Sequence, residues 1–424
     1  MTKNLTLLLF LLSNCILGQQ QEKSTTSSYF IITPEIMAGI TAEPNTDFPE
    51  HGFQKQLFFN FGWEHKYNPQ EWAFRLKGPR TGINIGYSDF GNAKNLGAAI
   101  TVMPNIEFNI FKSKKLKMQI GAGISYFTKK YDSISNPNNQ AVTTNLTFTV
   151  RAFTHYQISS SEKIDWRLGL GYFHHSNGHT RLPNQGYNTF LASISADIKN
   201  PSKLEEAKSK FSNHAYSKSV YDYLSIRSGY GRNVLSKSFN DNKDIYTISA
   251  EYGKVFNNTL KIGIGFYYRF YKNYYDYIKN DESLVQDGRE FDYFKEKPRW
   301  YASNLGLSIK GEILLNHIGI DLQFGINLHK PAYKIDWRIN QGWSYVPRII
   351  PEQSGIVLGE LNSKFKLKQL ISPRLGLKYY LIGTTKNPKS NIYIGAYINA
   401  NLGQADFTEL SLGYVYSFKL RKRK

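Results

Sequence analysis

The segment from Phe173 to Phe190, FHHSNGHTRLPNQGYNTF, brings a histidine, a serine and an asparagine together in one predicted hairpin. His174 and Ser176 are two residues apart on a predicted strand, so their side chains share a face and their Cα atoms are about 7 Å apart. An imidazole near a hydroxyl can accept its proton and activate the serine as a nucleophile. Such a pair can form an acyl ester with the serine.

These polar residues interrupt faces that are otherwise apolar. The apolar face of the first strand is formed by Ile164, Trp166, Leu168, Leu170 and Tyr172. His174 and Ser176 continue that face, by the two-residue period of a strand. Asn188 continues the apolar face of the next strand, which is formed by Phe190, Ala192, Ile194, Ala196 and Ile198. Because stability alone favours apolar residues on a lipid-facing surface, we interpret the three as a functional site.

Ester cleavage also needs donors for the oxyanion and a group that orients the imidazole. The candidate donors are the backbone N–H groups of Asn177 and Gly178 and the side-chain amide of Asn184, in the turn that ends at Gly186. The orienting group is usually a carboxylate. Neighbouring histidines have no assigned role, since His175 is expected to point into the lumen and His179 into the loop. No cofactor or metal is expected.

Composition favours an all-β transmembrane barrel. The chain of 424 residues contains 30 Tyr, 27 Phe and 33 Gly, with aromatic-rich alternating segments joined by polar connections. After the N-terminus, no apolar run approaches the roughly 18 residues that a membrane helix needs. The mean hydropathy of −0.44 agrees with a barrel, because every second residue of its strands faces a polar interior.

The N-terminus predicts export. Lys3 is followed by an almost unbroken apolar run from Leu5 to Leu12, which is typical of a signal peptide over 1–18. Cys15, the only cysteine, lies within it, so no disulfide is expected in the mature chain. A lipoprotein signal fits poorly, because Asn14 stands where a small residue is needed.

Strand-like alternation recurs about sixteen times, as antiparallel strands of one large barrel or of two eight-stranded halves. The predicted strands are 29–41, 54–65, 82–89, 96–110, 116–127, 142–157, 163–176, 186–198, 221–232, 244–256, 259–272, 300–313, 316–329, 364–383, 391–402 and 407–419. They suggest a first segment at 19–198 with the site, a polar connection at 199–219 and a second segment at 220–424. Long connections at 273–299 and 330–363 are expected outside the cell and short turns in the periplasm. His174 and Ser176 then lie in the outer leaflet of the bacterial outer membrane.

The net charge of +20 suggests an anionic partner or simply well-solvated loops. Nucleic acid is excluded as a partner, because an exported chain without a recognition motif has no means to reach or read it. Lipid phosphates are the anions that a membrane protein meets, and Lys and Arg bind them well. Both interpretations of the charge stay open.

The pattern H-x-S-N followed by P-N-x-G-x-N resembles the active-site segment of the lipid A 3-O-deacylase (PagL-type) group, also called acyloxyacyl hydrolase-like outer-membrane barrels. The resemblance implies an eight-stranded barrel with a Ser-His-Glu site on its lipid-facing wall, which releases an ester-linked acyl chain from lipid A. It implies His174 as base and Ser176 as nucleophile, with Asn177, Asn184 and Gly186 as the supporting loop. The family's glutamate corresponds to Asn188.

Asparagine at position 188 departs from the family. An amide can hold the imidazole by a hydrogen bond but cannot stabilise imidazolium by charge. The resemblance then leaves three alternatives: a slower enzyme, replacement of the acid by Asp197 or a loop glutamate, or loss of catalysis. Papain-like enzymes use Asn to orient their histidine, so Asn188 is compatible with activity.

The sequence predicts an outer-membrane serine esterase that acts on lipid A, and so on lipopolysaccharide, or on a related outer-leaflet lipid. A phospholipase would use the same residues, and the headgroup is not assigned. The alternative is a non-catalytic barrel, either a pore or a surface binding scaffold, which is suggested by the long loops of the second half. The oligomeric state is not indicated by the sequence.

Overall fold

The computed structural model describes residues 28–111, 114–211, 216–339 and 362–423. These residues form two closed barrels of eight antiparallel strands each. The predicted all-β class with about sixteen strands is confirmed, and of the two predicted arrangements the pair of eight-stranded barrels is the correct one. The signal peptide predicted at 1–18, with Cys15, lies outside the described residues.

The first barrel runs in chain order, and β8 closes it by pairing with β1. Its strands are β1 (Tyr29–Ala42), β2 (Gln54–Glu64), β3 (Arg80–Asp89), β4 (Ala98–Asn109), β5 (Leu116–Phe127), β6 (Leu146–Ser160), β7 (Ile164–Ser176) and β8 (Tyr187–Lys199). We call the end at which β7 stops and β8 begins the outer end.

The second barrel is closed by pairing between β16 and β9. Its strands are β9 (Lys218–Asn233), β10 (Lys243–Phe256), β11 (Leu260–Tyr271), β12 (Ser303–Leu315), β13 (Ile318–His329), β14 (Ile371–Tyr380), β15 (Ser390–Asn401) and β16 (Gln404–Arg423).

Short helices occupy the connections. They are α1 (Glu71–Arg75), α2 (Pro201–Ser209), α3 (Lys272–Lys279), α4 (Pro298–Tyr301), α5 (Tyr333–Ile339) and α6 (Asn362–Leu370), with single 3₁₀ turns at Asp292–Glu296 and Thr384–Lys386. In the polar connection between the barrels, the Asn200 side chain caps α2 by accepting a hydrogen bond from the Lys203 amide, and Pro201 takes the first helical position. No helix among the described residues is long and apolar enough to cross a membrane.

The strand predicted at 364–383 is wrong at its start, because 362–370 form helix α6 and β14 begins at Ile371. Phe365, Lys366 and Leu367 alternate in the manner of a strand. In the structure Phe365 stacks on Tyr333 and Trp337 of α5, with ring centroids 5.6 and 4.4 Å apart. Packing between two helices therefore overrides the local alternation.

The predicted apolar faces point outward from both barrels. Leu170 of the first barrel and Leu328 of the second are 69% and 68% exposed, although both are large and apolar. Exposure on this scale around a closed barrel is what a lipid-facing wall requires. The strands therefore cross the membrane with their alternate residues turned inward.

Charged side chains fill the interior of the first barrel and neutralise one another. The Arg80 guanidinium is 2.8 Å from Asp197, and Arg167 is 3.0 Å from Glu107. Glu35 accepts hydrogen bonds from Arg151 and His155 at 2.5 and 2.9 Å. The lumen is thus occupied by a paired network.

The second barrel is filled in the same way. Lys378 is 2.7 Å from both Glu312 and Asp321, and Arg374 is 2.9 Å from Asp321. Two further ion pairs join Arg227 to Glu409 and Lys310 to Glu251.

Replacement of Arg80 by Met tests whether these networks support the barrel. The change removes one of the two arginines that Asp197 and Glu107 share and leaves only Arg167 between them, and removing one partner of a buried ion pair costs about 3–5 kcal/mol. We expect that loss in the free energy of unfolding, measured by urea titration of the protein folded in detergent micelles. Lys203→Met, on exposed helix α2, is the control and should leave the unfolding midpoint unchanged. Equal effects of the two substitutions would contradict the account.

Candidate functional site

Register between β7 and β8 brings the candidate residues together. His174 lies directly opposite Asn188, and Tyr172 lies opposite Phe190. Side chains that face each other in an antiparallel pair have Cβ atoms about 5 Å apart, within hydrogen-bonding reach of each other. Tyr172, His174 and Asn188 are half-buried on the outward face, beside the exposed Leu170. The three residues therefore lie on the lipid-facing wall near the outer end.

Inward-pointing neighbours fix both strands at this point. Tyr187 is fully buried in a cluster with Phe90 and Phe127, whose ring centroids are 4.6 and 5.2 Å from its own. His175 is also fully buried and is hydrogen-bonded to the Thr149 hydroxyl at 2.8 Å. A strand whose inward side chains are fixed this way presents its outward side chains in a defined geometry.

The imidazole of His174 is oriented by the Asn188 amide oxygen. Nδ1 of His174 is 2.8 Å from Oδ1 of Asn188, and the Tyr172 hydroxyl donates to the same oxygen at 2.5 Å. Since an amide oxygen only accepts, Nδ1 carries the proton and Nε2 keeps its lone pair. His174 is thus held in the tautomer that a general base needs.

The hydroxyl oxygen of Ser176 receives two hydrogen bonds. Nδ2 of Asn184 donates at 2.8 Å, and the backbone N–H of Gly178 donates at 3.1 Å. The Asn177 N–H donates to Oδ1 of Asn184 at 2.9 Å, which turns the Nδ2 of that amide toward Ser176. Two donors therefore converge on the Ser176 hydroxyl oxygen, while the Asn177 N–H holds one of them in place.

Ser176 and His174 share the outward face but make no hydrogen bond with each other among the described residues. Ser176 is 7% exposed, under the loop that runs from Asn177 to Gly186. Proton transfer between the two side chains requires a rotamer change, and such contacts often tighten only when substrate binds.

Gly186 and Gly178 make room for this arrangement. A Cβ on Gly186 would lie 2.8 Å from Cε1 of His174, so any larger residue would displace the imidazole. Both glycines have left-handed φ angles, +77° and +67°, which side chains disfavour.

The second half of the loop is attached to the first barrel's own β5–β6 connection. The N–H groups of Gln185 and Gly186 donate to Gln140 and Ala141 at 3.1 and 2.8 Å, and the Thr143 hydroxyl donates to the Pro183 carbonyl. This side of the loop is therefore fixed by hydrogen bonds within the first barrel, and Lys237 of the second barrel donates to the Gln140 side chain at 2.8 Å.

Asp197, considered as a replacement acid, is excluded from the site. Its carboxylate points into the barrel, where it is bound by Arg80 at 2.8 Å and Arg167 at 3.2 Å. Tyr172 is the residue that sequence reasoning missed. Its position on the same face, two residues before His174, was the available signal, but a tyrosine is ordinary on a lipid-facing strand.

A groove of about 610 Å³ runs along the outer wall beside the site. It forms because Ala38 and Ala192, directly paired across β1 and β8, leave space between larger neighbours. Tyr172 belongs both to the groove and to the hydrogen-bonded set at Asn188. The remaining outward-facing residues of the groove are Ile40, Met118, Ala152, Thr154, Leu170 and Phe190.

A second cavity, of about 470 Å³, lies in the β11–β12 connection of the second barrel. Lys279, Lys297 and Arg299 surround it, together with Tyr275 and Trp300. Trp300 is 48% exposed and stacks on His329, with ring centroids 4.1 Å apart. The cavity combines positive charge with an exposed aromatic ring.

Solved structures similar to this chain include an outer-membrane enzyme, a designed transmembrane β-barrel and a porin. The crystal structure of the outer membrane enzyme PagL is 15% identical, covers 38% of this chain and 97% of its own, and has a TM-score of 0.28. A de novo designed transmembrane β-barrel is 12% identical over 40% of this chain and 95% of its own, with a TM-score of 0.22. A mutant of the Rh. blastica porin is 10% identical over 92% of this chain and 100% of its own, with a TM-score of 0.17.

No curated protein sequence matches the chain. The family model described as "Lipid A 3-O-deacylase (PagL)" matches residues 30–196, which span the first barrel. The predicted location in the bacterial outer membrane is confirmed. The first barrel of this chain therefore matches the lipid A 3-O-deacylase (PagL) family, as its sequence predicted.

Proposed function

We propose that the first barrel hydrolyses an ester-linked acyl chain of lipid A, or of a related outer-leaflet lipid, with Ser176 as nucleophile. The observation that supports this most directly is the hydrogen bond from Nδ1 of His174 to Asn188 on the lipid-facing wall. It leaves Nε2 free to accept a proton, and His174 lies two residues before Ser176 on the same strand.

In the proposed reaction, Nε2 of His174 takes the Ser176 proton as Oγ attacks the ester carbonyl. The N–H groups of Asn184 and Gly178 lie beside Oγ, and we propose that they turn from Oγ to the substrate oxygen and stabilise the oxyanion as it forms. Collapse of the intermediate breaks the C–O bond, and the leaving alkoxide receives the proton from His174. Water then releases the fatty acid by the same steps in reverse order.

Ester hydrolysis is slower with Asn188 at this position than with a carboxylate there. The amide oxygen fixes the tautomer and direction of the imidazole, but it is neutral and does not stabilise the imidazolium that forms. The Tyr172 hydroxyl, which donates to the same oxygen, withdraws electron density from it. We therefore propose a working but slow esterase.

The surroundings suit a lipid substrate. An ester carbonyl in the outer leaflet can reach His174 sideways from the membrane, and the wall groove beside Tyr172 offers a track for its acyl chain. The cationic cavity at Lys279, Lys297 and Arg299 suits lipid phosphates. The ion-paired filling of both lumens favours this function over a pore, because eight-stranded barrels leave space only for side chains.

Ser176→Ala should lower the deacylation rate at least ~10³-fold, because no other hydroxyl replaces the nucleophile. The measurement is mass spectrometry of lipid A from an outer membrane that contains the protein, with a glycerophospholipid fraction examined in parallel. Loss of an acyl chain from phospholipid instead of lipid A would identify a phospholipase. Equal acylation with and without wild-type protein would contradict the proposal.

Asn188→Glu should raise kcat about tenfold, because a carboxylate at this position adds charge stabilisation of the imidazolium. Asn188→Leu is the matched control: it removes the acceptor and should lower kcat at least ~10²-fold. Both are measured as initial rates of fatty-acid release in detergent micelles. A glutamate variant slower than the leucine variant would show that position 188 does not orient the base.

Ala192→Trp should fill the wall groove and lower kcat/KM roughly tenfold for long acyl chains, since several methylene contacts are lost. Esters of acetate, which do not extend into the groove, should react at the wild-type rate. Ile194→Trp, at the next outward position of β8 and outside the groove, is the control. If both variants affect long and short esters alike, the groove does not bind the acyl chain.

A further inference from the structure

The first half of the active-site loop lies against the second barrel. The carbonyl of His179 accepts a hydrogen bond from the Val234 N–H at 3.2 Å. Both backbone groups of Leu182 pair with the Asn240 side chain, at 2.8 Å to its oxygen and 2.6 Å from its nitrogen. These three bonds lie between Ser176 and Asn184, the nucleophile and the main oxyanion donor of the proposed site.

Side chains also contribute to this contact between the active-site loop and the second barrel. A Cβ on Gly178 would lie 2.5 Å from Cγ2 of Thr408, so the loop backbone rests directly on β16. The His179 imidazole is buried, and it lies within range of the charges of Asp406 and Lys330 on the second barrel. Burial lowers the pKa of His179, which keeps the ring neutral in this contact.

The part of the second barrel that contacts the loop is itself held in place by hydrogen bonds and ring packing. Residues 234–242 form the β9–β10 connection, in which the N–H groups of Leu235 and Ser236 both donate to the Phe239 carbonyl. Phe239 packs on Tyr277 of helix α3 with ring centroids 5.3 Å apart, and Leu235 belongs to the apolar cluster that covers the outer end of the second barrel. The loop thus docks on a fixed element.

The barrels are also joined at the opposite end. The Arg75 guanidinium of α1 donates to the carbonyls of Tyr216 and Ser217 at 3.2 and 3.0 Å, and Asn258 donates to Glu71 at 2.8 Å. Contacts at both ends restrict rotation of one barrel against the other, so the loop contact is held in register.

We propose that the second barrel acts as a positioning element for the active site, with Asn240 as the positioning residue that holds the Asn177–Leu182 segment over Ser176. The β5–β6 connection fixes the loop from one side and Asn240 fixes it from the other. This inference rests on the proposed function for its catalytic consequence, but the docking itself is independent of any activity. It assigns the second half of the chain a role in the first half's reaction.

Asn240→Ala in the full chain tests the docking, and Asn391→Ala is a matched control. Asn391 pairs with both backbone groups of Ile382, at 2.7 and 3.1 Å, but entirely within the second barrel. A spin label at Arg181→Cys, on an exposed loop position in a Cys15→Ser background, reports loop motion. We expect a more mobile label in Asn240→Ala and an unchanged spectrum in Asn391→Ala. Unchanged spectra in both variants would overturn the docking.

Deacylation tests the catalytic consequence. Asn240→Ala should lower kcat roughly tenfold with KM within twofold, because two hydrogen bonds that position the loop are lost. Its effect should be smaller in an Asn184→Ala background, since a residue that acts through Asn184 is not additive with it. A mobile label with a wild-type rate, or full additivity, would overturn the positioning role. Activity that survives Ser176→Ala would instead defeat the proposed function and leave the spin-label result valid.

Discussion

Every property of this site depends on the strict two-residue alternation of a closed membrane barrel. Each strand has one face in lipid and one in a lumen just wide enough for side chains. Inward charges must therefore pair with one another, as Arg80 does with Asp197, and outward positions must be apolar. His174 and Asn188 break the second requirement together, at one cross-strand position. Their mutual hydrogen bond satisfies polar groups that lipid could not, and the same bond holds the imidazole in the tautomer that the proposed base requires.

In the proposed catalytic arrangement, Asn188 supplies the geometry of a carboxylate without its charge. The amide reproduces the direction and the tautomer that a carboxylate would impose, but not the negative charge. Tyr172 completes the arrangement by donating to the same oxygen, so Asn188 is held from two sides. Asp197, which carries the missing charge, is on the wrong face of the same strand and already bound by two arginines. Because Asn188 and Asp197 point to opposite faces of β8, Asp197 cannot replace the missing carboxylate.

Much of the fold could be predicted from residue pattern alone, because period-two alternation is a local signal. It located β7 and β8 within one residue at each end, and it gave the outward direction of His174. The failures have physical causes. Helix α6 imitates a strand because its lysines and apolar residues alternate, whereas the ring stacking that decides for helix is not local. Closure into two barrels depends on pairing of β1 with β8, about 160 residues apart, which no local pattern encodes.

Within the site, the sequence placed His174, Ser176 and Asn188 in one hairpin, but it did not predict how their hydrogen bonds are shared. The direction of the Asn184 amide depends on the Asn177 N–H, and the role of Gly186 depends on its distance from the imidazole. The contact with Asn240 joins parts of the chain that share no motif. The central claim, that Ser176 is an activated nucleophile, is tested most directly by covalent capture with a lipid-like fluorophosphonate and peptide mass spectrometry. The account predicts a single adduct on Ser176 that disappears in His174→Ala, and an unmodified Ser176 in the folded wild-type protein would contradict it.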